Sequence, residues 1–514
     1  MTLPYYNYQQ NQPSMKSKFS LFIVSLFLTV NTIIGYSQSI HHGVTAHRGN
    51  SLHMPENSIS AFKSAIALGV DWVELDIFKT KDGQIVVSHD ISTKRTGNIT
   101  LHIPESTYAQ LQKVDVATEF RKASGKTNKE VPKETMPLLE DALKLFVNSK
   151  TKVSIQPKMD CVAEAIAIVK KMKMEAQVGF NDGNLAYMQQ VKKLAPAIHV
   201  FWDRPANHDI ESDIRTARDY GFESMVINAE GMTEDKINLL KIAEIEPGVW
   251  TVNKKDDLIR FLEMGVNRIY TDDPALLIEL KKNHRTVVCE GEYATHLQGI
   301  DTDNEHAIFW SWTTEIVRTD MEGKIQARVA ALHHQGDLCY HNGKLYVAVN
   351  LGQFNQPAGN ADSWIYEFDA LTLKELNQYP VPELVHGAGG IEYHNGKFYV
   401  VGGLVPGINE NYMYEYDQSF RFIKRHTIAS GYTLMGVQTI AHHNNTWWLG
   451  CYGKPTALLQ ADEQFRFQKQ TVFDASLGIA PFSENQVWIG SNIKTKGKGH
   501  VGRIKLVSVD TLNQ

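Results

Sequence analysis

Five stretches of the C-terminal half are variants of one another, and this repetition limits the fold more than any other feature of the chain. LCYHNGKLYVAVN from Leu338 matches IEYHNGKFYVVGG from Ile391, IAHHNNTWWLGCY from Ile440, APFSENQVWIGSN from Ala480 and, more loosely, IDTDNEHAIFWSW from Ile300. The units are short aromatic strands around Gly/Asn turns, and each runs on into a second hairpin such as WIYEFDALTLKEL or YMYEYDQSFRFIK. Asn342-Gly343 and Asn395-Gly396 suit a two-residue hairpin turn, in which both central residues need positive φ. A period of about 40–50 residues is the length of one four-stranded propeller blade. About five units fit, so residues 289–514 are expected to form an all-β propeller of about five blades.

The preceding residues have another texture, in which apolar strand-like runs alternate with helical patterns. The runs are Val44 to His47, WVELDI, Val153 to Gln156, Ala176 to Phe180, His199 to Trp202, Ser224 to Asn228, Val249 to Asn253 and Arg268 to Thr271. That is about eight strands in roughly 240 residues, the rhythm of a (β/α)8 TIM-type barrel, placed over residues 42–285. In PENSISAFKSAIALG, Asn57 or Ser58 can cap a helix that stops at Gly69. Ahead of the barrel, Lys16 and Lys18 precede the apolar run Phe19 to Val30, with small residues at Gly35 and Ser37. This pattern predicts a leader and signal peptide over 1–37, hence a secreted or periplasmic protein with no membrane span once it is removed. Met15 is a candidate start. Cys161, Cys289, Cys339 and Cys451 show no metal-ligand spacing and are expected as buried free thiols. The net charge of -5 gives no reason to expect a nucleic-acid partner.

The chemistry concentrates in VELDIFKTKDGQIVVSHD. Residues i and i+2 share a strand face, so Glu74 and Asp76 point the same way. A two-residue turn at Asp82-Gly83 places Asp76 opposite His89; a three-residue loop shifts the pairing by one. Barrel active sites form at the C-terminal ends of strands, where His47, Glu74, Asp76 and Gln156 also fall. Paired carboxylates on an oxygen-rich rim suit a hard divalent cation, Ca²⁺ or Mg²⁺. Two histidines suit a general base and a general acid, and Arg48 and Lys158 suit a phosphoryl oxygen. Together they describe phosphodiester cleavage.

With those residues in view, AHRGNSLHMPENSISAF, GVDWVELDIFKTKDGQIVVSHD, MPLLEDAL, VSIQPK, VWTVN and GVNRIYTDDP resemble the glycerophosphodiester phosphodiesterase family, in the family's order and over nearly all of residues 43–283. The resemblance implies a (β/α)8 barrel that hydrolyses glycerophosphodiesters such as glycerophosphocholine to glycerol 3-phosphate and an alcohol. It implies His47 and His89 as the acid–base pair, Glu74 and Asp76 as metal ligands, and Arg48 on the phosphate. The family's third metal ligand is the Glu of a Glu-x-Lys segment, which here reads Gln156-Pro157-Lys158. Gln156 keeps a carbonyl oxygen and loses a charge, so weaker metal binding or an altered metal choice is expected, with activity retained, and Gln156→Glu is expected to tighten binding. Lys158 matches the family lysine.

Phe180 and Trp250 end strands and are candidate pocket walls for the alcohol group, or else barrel packing. Thr271-Asp272-Asp273-Pro274 reads as a plain turn closing the last strand. In the propeller, His296, His334 and His386 sit at equivalent unit starts, either facing the axis around an unknown ligand or held in a tight glycine-lined hub. Two other functions stay open: a non-catalytic surface-binding protein with a substituted metal site, and a phosphodiesterase directed at lysophospholipids.

Overall fold

The computed structural model describes residues 43–331, 334–495, 497 and 499–513. The leader and signal peptide expected over 1–37 lie outside the described residues. The N-terminal part is a closed barrel of eight parallel strands: β1 (Val44–Ala46), β2 (Trp72–Lys79), then, after the short β3 (Ile85–Val87), β4 (Lys152–Pro157), β5 (Val178–Asp182), β6 (His199–Arg204), β7 (Ser224–Asn228), β8 (Glu246–Trp250) and β9 (Arg268–Thr271). They run in the order β1-β9-β8-β7-β6-β5-β4-β2, and pairing of β1 with β2 closes the ring. β3 lies antiparallel on β2 outside that ring. Ser58 caps the first helix (Ile59–Ala67) by accepting the Ala61 N–H.

Several strand bounds and one hairpin register differ from the sequence expectation. β8 runs three residues earlier than VWTVN. Pro247-Gly248 looks like a turn, yet Gly248 lies in the strand because an added Cβ would meet Val226 at 3.0–3.3 Å. The β2–β3 pairing is Ile77↔Val87, Phe78↔Val86 and Lys79↔Ile85, so Asp76 does not face His89. The loop has three residues: Gln84 N–H donates to Thr80 Oγ1 at 2.9 Å, and Thr80 Oγ1 donates to Asp82 at 2.6 Å. Only Gly83 takes a positive φ there, of 79°. Ser88 N–H donates to the Asp76 carbonyl at 3.0 Å, and His89 reaches the rim from the loop beyond.

Inside the barrel, Trp72, Phe201, Val226 and Tyr270 form a lower layer. The Arg268 guanidinium lies 3.8 Å from the Phe201 ring centre and 4.8 Å from that of Trp72. This layer fills the barrel below the acids.

The C-terminal part is a propeller-like ring of five four-stranded sheets. Asn342-Gly343 and Asn395-Gly396 adopt the paired positive φ values expected of them, 48° with 76° and 48° with 81°. The innermost strands start at Leu297, Gln335, Ala388, Leu434 and Ile479. The fifth sheet takes its outer strand from the other end: β10 (Thr286–Val288), directly after the barrel, pairs antiparallel with His500–Ser508. The hub is tight, since a Cβ on Gly336 would meet the Gly389 carbonyl at 2.4 Å. Asp337 accepts the Ile440 N–H of a different sheet at 3.2 Å. His296 and His334 meet around Gln298 Nε2, at 3.0 and 3.3 Å. His386 does not join them; its Nδ1 lies 2.8 Å from the Gln356 carbonyl. The four cysteines are buried and free. Among the described residues no helix is long and apolar enough to cross a membrane.

Candidate active site

The C-terminal rim of the barrel encloses a cavity of about 610 Å³, lined among others by His47, Arg48, Glu74, His89, Gln156 and Lys158. Strand parity explains the set: Glu74 and Asp76 share the inner face of β2 with Trp72, and Asp76 pairs with Gln156 on β4. Both acids are buried, at 1% and 0% exposure. Two carboxylates so placed need positive charge. Arg48 N–H donates to Glu74 Oε2 at 2.9 Å, and its Nε lies 3.6 Å from Asp76 Oδ2. Arg48 adopts φ of 56°, a left-handed conformation uncommon for a non-glycine residue, and this turn aims its amide at Glu74. Asn57 clamps Asp76 from the next loop, donating to Oδ2 at 2.8 Å and accepting the Asp76 N–H at 3.2 Å. Burial, then the neighbouring Asp76, pushes the Glu74 carboxyl well above the ordinary carboxylate range.

The two histidines are held alike and tuned apart. His47 Nδ1 lies 2.7 Å from Asp272 Oδ1, and His89 Nδ1 lies 2.6 Å from Asp90 Oδ1. Each ring thus has Nε2 left for the cavity. Asp90 is itself held by Arg95 Nε at 2.6 Å, and Arg95 also clasps Glu56. Burial lowers the basicity of His47, but the Asp272 hydrogen bond and the fields of Glu74 and Asp272 outweigh it, and the pKa is raised. At His89 burial prevails over the raising effects of Asp76 and Asp90, and the pKa is lowered.

Several of these partners escape a sequence reading. Asp272 belongs to the segment read as a plain turn; only Asp273 has that character, accepting the Leu276 N–H at 3.1 Å as the cap of the helix that follows. The rule that pointed to His47 would have found Asp272, which follows the last strand at the same rim. Asp203, at the end of β6, also lines the cavity. Its carboxyl is pushed up to about 8, by burial above all. Trp250 lines the cavity. Phe180 does not: it is fully buried in the main hydrophobic cluster, because β5 runs on to Asp182 and turns Asn181, not Phe180, toward the mouth.

Gln156 Oε1 accepts the Lys158 ammonium at 2.5 Å, and that ammonium lies 3.0 Å from Asp76 Oδ1. The second contact is not aligned for hydrogen bonding, and Oδ1 stays buried without a donor. An oxygen-rich set with an unsatisfied carboxylate oxygen fits a hard divalent cation, held by Glu74, Asp76 and the Gln156 carbonyl. Among the described residues, one group of three His, Cys, Asp or Glu ligand atoms lies within 4.8 Å, and it is elsewhere: His394, His442 and Glu463 of the propeller. The His394 and His442 rings lie with centres 3.6 Å apart, tilted by 31° to one another.

The model of the glycerophosphoryl diester phosphodiesterase family matches residues 47–276. A glycerophosphodiester phosphodiesterase of Caldanaerobacter subterraneus subsp. tengcongensis is 30% identical over 250 residues, 46% of this chain and 96% of its own. Human lysophospholipase D GDPD1 is 24% identical over 276 residues, covering 46% of this chain and 85% of that one. Among solved structures, an Oleispira antarctica phosphodiesterase in complex with the product sn-glycerol-3-phosphate aligns with a TM-score of 0.42 at 20% identity, over 46% of this chain and 96% of its own.

Proposed function

Because the chain belongs to the glycerophosphoryl diester phosphodiesterase family, we propose that it is an exported, divalent-cation-dependent hydrolase that cleaves glycerophosphodiesters such as glycerophosphocholine to glycerol 3-phosphate and an alcohol. The observation that carries this reading is the pair of acid-backed histidines, tuned in opposite directions, on one cavity with two buried carboxylates. Groups whose environments push their pKa values apart divide acid and base roles between them. His89, held neutral, takes the proton of the attacking oxygen, either water or a neighbouring substrate hydroxyl whose cyclic phosphate water then opens. His47, held protonated by Asp272, returns a proton to the leaving alcohol oxygen. The Arg48 guanidinium and the Lys158 ammonium, both at the cavity, receive the phosphoryl oxygens. A Ca²⁺ or Mg²⁺ ion on Glu74, Asp76 and Gln156 would supply charge stabilisation to the same oxygens. Trp250 walls the side that takes the alcohol. Export rests on the segment of Lys16, Lys18 and the apolar run to Val30.

The test is release of glycerol 3-phosphate from glycerophosphocholine with Ca²⁺, Mg²⁺ or Mn²⁺, by wild type, His47→Ala and His89→Ala. Either histidine variant is expected to lose about 10²–10⁴-fold in turnover. Saturable binding of glycerophosphocholine with no turnover under any of the three cations would overturn the enzyme reading in favour of a binding protein. Preferential turnover of lysophosphatidylcholine would move the substrate class instead.

A further inference from the structure

A further carboxylate stands at the barrel mouth beside the acids and histidines of the site. Asp203 is 9% exposed, lines the cavity of Glu74 and Gln156, and sits two strands from Gln156 around the barrel. Its Oδ2 accepts the Gln156 Nε2–H at 3.1 Å and the Asn181 Nδ2–H at 3.2 Å. Asn181 stands on the strand between them and accepts the Ser154 hydroxyl at 2.7 Å, which fixes its own amide. Gln156 is therefore gripped at both ends, with the Lys158 ammonium on its oxygen and the Asp203 carboxylate on its nitrogen, where the Asp182 carboxylate also bonds to it. Donor and acceptor so arranged allow one orientation, the carbonyl toward Lys158 and Asp76.

A glutamate at position 156 could not make this contact. It would set two carboxylates about 3 Å apart with no donor between them, and like charges that close cannot both ionise freely. The glutamine at 156 and the acid at 203 thus read as one linked arrangement.

We propose that Asp203 is the positioning residue of the cation site of this chain: it holds the Gln156 carbonyl on the cation. This rests on the reading that a divalent cation binds Glu74 and Asp76. Asp203 acts through Gln156, since among the described residues no third carboxylate or histidine ligand atom falls with those of Glu74 and Asp76 inside 4.8 Å. One consequence reverses the expectation from sequence alone. Beside Asp203, Gln156→Glu should not tighten cation binding.

Calcium titration calorimetry decides the matter with four proteins: wild type, Asp203→Asn, Gln156→Glu and the exchange Gln156→Glu/Asp203→Asn. Loss of a partner that orients a metal ligand typically costs about 10–100-fold in affinity, and Asp203→Asn is expected to lose that much. Gln156→Glu is expected to bind no better than wild type, and the exchange to return within about threefold of it, a non-additive result that purely structural damage would not give. Asp203→Asn binding like wild type, or Gln156→Glu tightening binding by the same factor with and without Asp203, overturns the proposal while the cation reading stands. Wild type showing no heat with Ca²⁺, Mg²⁺ or Mn²⁺ overturns the cation reading, and the proposal with it. Should Asp203→Asn fail to fold, Asp203→Ser takes its place with the same expected loss.

Discussion

Replacing Asp272 by Asn is expected to move the alkaline limb of the activity profile toward acid by about one pH unit. The side chain keeps its shape, and its oxygen can still accept from Ser51 at 2.9 Å, while its new amide meets the Asn253 donor at the 2.5 Å contact and loses that bond. What disappears is the charge opposite His47 Nδ1. Burial and Arg48 then act on the ring against Glu74 alone, and both lower its basicity. A hydrogen bond to a charged group contributes about 1.5–3 kcal/mol, and one pKa unit corresponds to about 1.4 kcal/mol, so the range is about 1–2 units. Asp272 is 32% exposed, and solvent screening favours the lower end. The direction follows from the role. A general acid works only while protonated, so a lower His47 pKa removes activity from the alkaline side and leaves the acid limb, set by His89, where it was. The counterpart Asp90→Asn should lower His89 further and extend the acid limb downward. The pH dependence of kcat/KM for glycerol 3-phosphate release, with the His47 ring protons followed by NMR, checks both. An unmoved alkaline limb in Asp272→Asn, or movement of both limbs together, would refute the assignment of His47 as acid.

The two aromatic candidates should separate cleanly: Trp250→Ala raises KM for glycerophosphocholine with little loss of Tm, whereas Phe180→Ala costs about 3–5 kcal/mol of stability without changing substrate preference, readable by thermal melts beside a substrate panel. Asn57→Ala removes both hydrogen bonds to Asp76 and should cost about 1–3 kcal/mol by denaturant titration. Val287→Asp places a charge at a buried position of the ring-closing strand, and a lowered, separate propeller transition in calorimetry with glycerophosphodiesterase activity retained is the expected result.

How far the sequence carries a reader depends on which interactions are local. The barrel rhythm was legible because alternating apolar runs and helix caps are local properties, and the five sheets because a repeat announces itself. The hairpin register was not, since Asp82-Gly83 fits both loop lengths and the Thr80 hydroxyl decides between them. Of the two readings open for Phe180, packing holds: the strand runs on to Asp182, and the alternate residue Asn181 is the one at the cavity, a choice of face that a strand end read from sequence does not decide. The partners of His47 and Gln156 lie 225 and 47 residues away, and no spacing rule connects them. Gln156 itself was legible as a departure; what compensates for it was visible only once β6 stood near β4.

The outer strand donated by β10 has a consequence for the order of events at the ribosome. Residues 286–288 emerge as soon as the catalytic half is complete, yet the strand that receives them, His500–Ser508, is made roughly 210 residues later. At a synthesis rate of about 5–20 residues per second, that edge waits unpaired for about 10–40 seconds. During this interval the hydrolase half can be fully assembled while its companion ring still hangs open.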